Sequence, residues 1–329
     1  MRRLLPVLGF SLLLLSLAAP AHAQQDIVPY LAPGVERLAS AAGGRLVVSF
    51  GTFTYADKKV GSGFSRLLEE GLSAAMSRQG SFEVFARDKL DQILSAQELN
   101  LSDLVDEKTA VPVGRMKGLQ ALLSGTFFDA PSEVKVYLEL VSVETATVMA
   151  RAEVAVPRSA IPSSVSILPD NYNDALYVLD QLAAVQSSAG GSFVVKAWSV
   201  RGDGGTYRDG EQLVVSFFAS RDCFVKVYHV DVAGKITLIF PNQFFRNNAI
   251  QGQKLYRIPD ASYPFTFDLG EPYGTEFIKV VASTTQFTDI EEAFTDMGTV
   301  TKGLVTRGLN VAGKQTQVAE ATFSYTILR

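Results

Sequence analysis

The chain has 329 residues, enough at about 150 residues per domain for two domains, each with its own core. Hydrophobic residues make up 47% and charged residues 19%, a globular composition with a lightly charged surface, which excludes a largely disordered chain. A formal net charge of −4 without any block of Lys or Arg excludes a basic nucleic-acid binder, and two His with one Cys leave little for metal or nucleophile chemistry.

The first segment reads as an export signal. Arg2 and Arg3 form a positive start, Leu4 to Leu17 an apolar stretch, and Pro20-Ala21-His22-Ala23 a breaker with small residues at −3 and −1. The apolar core is shorter than the roughly 20 residues a spanning helix needs, so residues 1–23 are expected to be cleaved. Gln24 and Gln25 stand where a lipoprotein would carry Cys, so no lipid anchor is expected. Without Arg2, Arg3 and His22 the mature chain holds 28 basic and 34 acidic residues, a net charge of −6, and His229 and Cys223 are its only His and Cys. An intrachain disulfide and a Cys/His zinc site are thereby excluded, and stability must come from the cores. No later segment is apolar enough to cross a bilayer.

An α/β domain is expected next, over residues 24–157. Ile27 to Ala42 has helical spacing interrupted by Pro29 and Pro33, and Arg45 to Phe50 is a compact β run. Phe64, Leu67, Leu68, Gly71, Leu72, Ala75 and Met76 share one helix face, with Ser62 as N-cap and Gly80 as stop. Phe82 to Ala86 predicts a strand leading into a helix capped by Asp88, and Val111-Pro112 opens another short helix ending at Gly118. Three strands follow: Leu119 to Phe128, Glu133 to Val143 and Thr147 to Val156. In the middle one, Val134, Val136, Leu138 and Leu140 alternate with Lys135, Tyr137 and Glu139, the pattern of an antiparallel strand with one wet face.

These elements carry a resemblance. Arg87-Asp-Lys-Leu90, Leu101-Ser-Asp103, Val113-Gly-Arg-Met-Lys-Gly118, Leu123-Ser-Gly125 and Leu140-Val-Ser-Val-Glu-Thr145 resemble, in this order, the periplasmic domain of curli-secretion CsgG-like proteins. The same string is similar to flagellar outer-membrane FlgO-like proteins and to lipoprotein activators of penicillin-binding proteins. The resemblance spans Ile27 to Val156 and implies a fold rather than a reaction. Thr145-Ala146 replaces the family's Thr-Gly turn, the lipid-bearing Cys is missing and no amphipathic hairpin is available for a pore, which points away from a secretion channel.

Residues 158–192 read as a linker. Ser and Pro between Ser159 and Pro169 give loop composition, Asn173 to Val185 predicts one amphipathic helix, and Ser187 to Ser192 is a flexible Gly/Ser end. That helix is expected to dock on the first domain through Leu176, Leu179 and Ala183.

From Phe193 to Arg329 repeated strands predict an antiparallel β-sandwich, so the whole chain is placed in the α+β class. The strands are Phe193 to Val200, Gln212 to Ala219, Cys223 to Asp231, Lys235 to Phe240, Thr275 to Ser283 and Gln317 to Ile327. Cys223, Val225, Val227 and His229 point one way, Lys226 and Tyr228 the other. Asp231 to Gly234 is a hairpin turn, and Gln286 to Asp296 is expected to form an inserted helix. Tyr207-Arg-Asp-Gly210-Glu211, Ser220-Arg-Asp-Cys-Phe224, Tyr228-His-Val-Asp231, Leu238-Ile-Phe-Pro-Asn242, Ile258-Pro259 and Pro272-Tyr-Gly274-Thr-Glu276 together resemble the domain of unknown function numbered four-three-eight-four. That resemblance implies a C-terminal module of exported bacterial proteins and of some Ser/Thr kinases, with no agreed activity. It singles out Tyr207, Gly210, Glu211, Gly274 and Glu276.

Sharper motifs yield to plainer readings. Gly308 to Lys314 has phosphate-loop spacing, but Gln315 replaces the magnesium-holding Ser/Thr and a β run follows. Gly61-Ser-Gly63 lacks the third dinucleotide glycine, since Arg66 stands there, and reads as a tight turn with an N-cap. Arg201-Gly-Asp203 is a tripeptide that β-turns favour. Cys223 and His229 lie roughly 20 Å apart at about 3.3 Å per residue along one strand, too far for a dyad. His229 reads as a half-buried, hydrogen-bonded side chain, and the pairs Asp103/Asp106 and Glu291/Glu292 as solvated surface.

One loop invites a functional reading. Phe240, Pro241, Asn242, Phe244, Phe245 and Arg246 bring aromatic rings and polar groups into a loop where apolar residues have no obvious burial reason. The plainer alternative is that Phe240 and one other ring fold back into the sandwich end. The reading is therefore an exported, non-catalytic cell-envelope adaptor or assembly-accessory protein, periplasmic or outer-membrane-associated. It would bind an envelope protein or cell-wall component, with no nucleic acid and no cofactor. The rivals are a carboxylate-dependent cell-wall glycan hydrolase, which needs two carboxylates converging at roughly 5 to 10 Å, and a glycan or small-ligand binding protein with an aromatic-lined pocket.

Overall fold

Two helices and a five-stranded sheet form the first half of the fold, seen in a computed structural model that describes residues 26–56, 58–86, 89–90, 118–184, 193–287, 299–300 and 317–329. Helix α1 (Val28–Ala42) carries Pro29 in its first turn, where the missing N–H costs nothing, and continues past Pro33, with Leu31, Val35 and Leu38 anchoring one face in the core. Helix α2 (Gly63–Gln79) starts at Ser62, whose N–H donates to Ser65 Oγ at 2.9 Å, and ends at left-handed Gly80. Strands β1 (Leu46–Tyr55), β2 (Phe82–Val84), β3 (Ala121–Asp129), β4 (Glu133–Ser142) and β5 (Val148–Pro157) lie in the order β2-β1-β3-β4-β5. β1 is parallel to β2 and β3, and β3, β4 and β5 form an antiparallel meander. Both helices cover one face, packing Leu68 and Leu72 of α2 and the α1 stripe onto Phe50, Leu123, Leu138 and Val154. The opposite face is wet, with Lys135 and Tyr137 exposed as their alternation predicts. The helices expected after Asp88 and Val111 fall almost wholly outside the described residues.

The second half is built on a larger sheet. Strands β10 (Cys223–Val230), β11 (Ile236–Phe240), β15 (Gly274–Ser283), β16 (Thr299–Val300), β17 (Val318–Leu328) and β7 (Gly205–Arg208) run in the order β16-β11-β10-β15-β17-β7, with β12 (Ala249–Ile250) beside β10. All pair antiparallel except β17 with β7. Strands β6 (Val195–Trp198), β9 (Val215–Ala219) and β13 (Leu255–Ile258) make a three-stranded sheet that packs Val215 and Phe217 against Val225, Val227, Val280 and Phe323. A short pair, β8 (Gln212–Leu213) with β14 (Phe267–Asp268), closes one end. The α+β class holds, with a sandwich in the second half. The inserted helix expected at Gln286 to Asp296 lies almost entirely outside the described residues, as does the Gly/Ser end of the linker.

The linker helix departs from expectation. Helix α3 (Tyr172–Ala184) packs Ala175, Val178 and Leu182 on Tyr228, Val230, Leu238, Phe277 and Val281, so it covers the outer face of the seven-stranded sheet rather than the first half. Leu176 and Leu179, expected to lead the docking, are only partly buried. The residues of β15 are buried on both faces as a result. Lys279, 1% exposed, sits under the helix: its Nζ donates to the Leu182 carbonyl at 3.1 Å and pairs with Glu320 at 2.7 Å.

The two halves touch through the β1–α2 loop. Ser324 Oγ donates to the Lys59 carbonyl at 2.5 Å, Thr326 Oγ1 to the Gly61 carbonyl at 3.1 Å, and Lys59 Nζ pairs with Asp203 at 3.0 Å. A side chain at Gly61 would place Cβ 2.5 Å from Thr206 Cγ2, and one at Gly204, which has φ +80°, would place it 2.7 Å from the Lys59 carbonyl oxygen. Asn171 fastens the linker, donating from Nδ2 to the Thr275 and Val232 carbonyls and accepting at Oδ1 from the Thr275 N–H. Arg201-Gly-Asp203 is taken up here: Asp203 serves this contact and Arg201 pairs with Glu211.

Because Lys279 and Glu320 are buried together, removing one strands the other. Lys279→Ala is expected to destabilise the sandwich by about 3 to 5 kcal/mol, whereas Lys279→Met with Glu320→Leu recovers most of that loss. The emission of Trp198, the chain's single Trp, during denaturant unfolding reads the difference.

Candidate functional site

The loop after β11 divides its rings between core and surface. Phe240 is 6% exposed and packs beside Phe217, with ring centroids 6.2 Å apart. Pro241 is buried, Phe245 is half-buried on the same core, and Arg246 is exposed on the rim. Phe244 alone turns outward, 48% exposed. The plainer alternative thus holds for Phe240 and Phe245, and the exposed ring is Phe244.

Asn242 explains why Phe244 stays there. Its side chain is buried and both its nitrogen and its oxygen bond within the turn: Nδ2 donates to the Ile239 carbonyl at 2.8 Å, and Oδ1 accepts from the N–H groups of Phe244 and Phe245, each at 3.0 Å. Its own N–H donates to the Phe245 carbonyl. An Asx-type turn of this kind holds an apolar ring in water at low conformational cost.

The ring has company the sequence reading overlooked. Phe244 lies 5.4 Å from Phe265, Tyr263 lies 5.2 Å from Phe265 and stacks on Phe245 at 3.9 Å, and Phe265 lies 5.4 Å from Phe267. The spacing Tyr263, Phe265, Phe267 is an alternation that could have revealed a common face. Burial, helped by Asp260, pushes the Tyr263 phenol up to about 12. Five rings, from the loop after β11 and from the segment that runs into β14, thus form one patch.

The residues singled out by motif lie elsewhere and are structural in their contacts. Tyr207 is buried edge-on to Tyr325, with the Arg201 guanidinium 4.6 Å above its ring. Gly210 turns the chain and donates its N–H to the Leu269 carbonyl. Glu211 takes a two-pronged contact from Arg201 at 2.7 and 3.1 Å and accepts from the Arg208 N–H. Gly274 opens β15 beside Asn171. Glu276, 5% exposed, accepts from Tyr325 Oη at 2.6 Å and meets His229 Nε2 at 2.8 Å, so His229 is hydrogen-bonded and half-buried as expected. Burial, then the Glu276 carboxylate, drives the Tyr325 phenol well above its ordinary value.

The remaining reactive groups are tied up. Cys223 is buried, and burial with nearby Asp222 raises its thiol to about 11, far from a neutral-pH nucleophile. Glu276 faces a phenol and an imidazole, and Glu320 meets a lysine at Oε2 while its buried Oε1 has no partner and burial raises its carboxyl; among the described residues neither is set against a second acid. Asp103, Asp106, Glu291, Glu292 and the Gly308 to Lys314 run lie outside the described residues. A hollow between the two halves is lined by Thr52, Ser65, Arg66, Glu69, Arg201 and Thr206, a polar set apart from the five rings.

Comparison with known proteins matches both halves in part. The family described as curli production assembly/transport component CsgG matches residues 47–130, and the domain of unknown function DUF4384 matches residues 206–286. No curated protein matches the chain. Eight solved chains do. The LpoB C-terminal domain from Escherichia coli is 17% identical, with 40% of this chain and 98% of that chain covered and a TM-score of 0.33. Its Salmonella enterica counterpart is 18% identical over the same shares, also at 0.33. Lipoprotein GNA1162 from Neisseria meningitidis is 12% identical, with 42% and 96% covered, at 0.26.

The Arg201–Glu211 contact sets an acid limit. Burial alone would raise the Glu211 carboxyl, but the Arg201 hydrogen bond, the Arg208 N–H and the charges of Arg201 and Arg66 bring it below its ordinary value of 4.5. A carboxylate depressed in the folded state contributes stability that is complete above about pH 4.5 and is lost as pH falls through the lower folded value. Glu211→Gln is therefore expected to be less stable than the parent at pH 7 and to show a smaller loss below pH 4.5, read as denaturation midpoints across pH.

Proposed function

We propose that this chain is an exported, non-catalytic adaptor of the cell envelope, and that the aromatic patch of its sandwich docks onto a partner protein there. The observation that carries this reading is Phe244, half in water on a turn that the buried Asn242 side chain holds with three hydrogen bonds. An exposed ring on a pre-ordered turn loses little entropy on binding, which suits it as an interface anchor. The signal-like pattern of residues 1–23 and the CsgG match over residues 47–130 support an envelope setting. The pairing of Glu276 with a phenol and an imidazole, rather than with a second acid, supports a structural role for that carboxylate.

The ring geometry favours a protein over a sugar. Phe244 is tilted 40° to Phe265, and Phe265 stands 87° to Tyr263 and 50° to Phe267. Neighbouring rings at such angles offer notches for apolar side chains and no common flat face on which a pyranose would lie.

A photoreactive residue replacing Gln243, in the chain within its native envelope, is expected to yield a discrete protein adduct. Phe244→Ser is expected to weaken that capture by about 30-fold, the factor for losing an anchor worth about 2 kcal/mol. Capture unaffected by Phe244→Ser, or retention of the pure chain on cell-wall glycan with no protein adduct, would overturn the proposal.

A further inference from the structure

The first sheet ends on an open strand. Among the described residues, β5 pairs with β4 on one side and with no strand on the other. Which of its groups face outward follows from the hydrogen bonds. The Arg158 N–H donates to the Ser132 carbonyl, and that residue pair shares its register with Val156–Val134, Val154–Val136, Ala152–Leu138 and Ala150–Leu140. Hydrogen-bonded pairs recur at every second residue of an antiparallel ladder, so even-numbered residues of β5 bond to β4. The N–H and C=O groups of Arg151, Glu153 and Ala155 therefore point away from the sheet. The reach of Arg37 Nη2 to the Glu153 carbonyl agrees with this.

The charges on that edge are self-complementary. Two copies of β5 set antiparallel about a two-fold axis at Ala152 bring Arg151 of each copy opposite Glu153 of the other. Both residues have outward backbone groups, so each Arg151–Glu153 pair can exchange two backbone hydrogen bonds while opposite charges meet on the exposed face. A register one residue away would pair outward groups with inward ones. Arg151 already holds Glu139 at 2.6 Å with its side chain 74% exposed, and among the described residues the Glu153 carboxylate has no ion-pair partner. The helix above the edge fits the same symmetry. Tyr30, Pro33, Arg37 and Ala41 are all exposed and recur at helical spacing on α1, and Arg37 shows that their stripe faces the β5 edge. Tyr30 is 40% exposed on that stripe.

We infer that the outer edge of β5 is a docking site for a second copy of this chain, joining two five-stranded sheets into one of ten strands with the two α1 helices side by side. Arg37 gives up the Glu153 carbonyl to the incoming Arg151 N–H. Association then exchanges one exposed side-chain contact for a backbone ladder, and the edge is no longer open to wrong partners. The site is separate from the aromatic patch, so it stands or falls without the adaptor reading.

The test uses the chain as recovered after export, by sedimentation over a concentration series. The parent is expected to reach twice the monomer mass. Glu153→Arg sets Arg against Arg twice per dimer, and Arg151→Glu sets Glu against Glu twice, so each variant alone is expected to dimerise at least about tenfold more weakly. The equimolar mixture of the two variants has only opposite charges across the axis and is expected to restore a dimer containing one copy of each. Recovery on mixing also shows that both variants are folded. A parent that stays monomeric at every concentration, variants that associate like the parent, or a mixture that stays monomeric would each overturn the inference.

Discussion

A lysine ammonium inside a protein is costly unless opposite charge and acceptors surround it, and Lys279 finds a carboxylate on one element and a carbonyl on another. Its contact with Glu320 ties β15 to β17, and its contact with the Leu182 carbonyl draws the last turn of α3 onto the sheet. A cation at a helix C-terminus also faces the negative end of the helix dipole. With α3 fixed there, Asn171 just before it is positioned to bridge Val232 and Thr275, and the chain arriving from the first half is anchored at both ends of the crossing. The sheet that carries the aromatic patch is thus held from behind by the segment that reads in the sequence as a linker.

The contact between the halves works by the same economy of small groups. Lys59 and Gly61 offer backbone carbonyls to the hydroxyls of Ser324 and Thr326, and the absence of side chains at Gly61 and Gly204 lets the strands come that near. Ser324 and Thr326 lie on the face of β17 opposite Phe323 and Tyr325, so one strand serves the sandwich core with one face and the first half with the other.

Much of this was legible in residue order. Phe64, Leu68, Leu72 and Met76 mark α2, its caps at Ser62 and Gly80 stand where expected, and the alternation through β4 separates its wet and dry faces. Period alone names a buried stripe but not the surface that covers it. That is why the stripe over Asn173 to Val185 points to the first half in the sequence, whereas α3 lies on the second sheet. The same limit applies to Lys226 and Lys279: a charge alternating with apolar residues reads as solvated, yet here α3 and Phe287 roof that face, with Lys226 Nζ 4.7 Å from the Phe287 ring. In the loop after β11, composition marked six residues as an interaction candidate. Only the Asn242 bonding pattern separates the ring held outward from the two folded in, and the contributions of Tyr263, Phe265 and Phe267 come from a segment nearly twenty residues away.

The parallel pairing of β7 with β17 has a temporal side. Gly205 finds its neighbour Tyr325 only 120 positions later, and Thr206 and Tyr207 wait as long for Thr326 and Ile327. Until that distant stretch emerges from the ribosome, the sheet lacks an inner member and Tyr207 has no ring to lie against. Such long-range closure slows collapse. The half richest in strands therefore stays pliable until its synthesis is almost done.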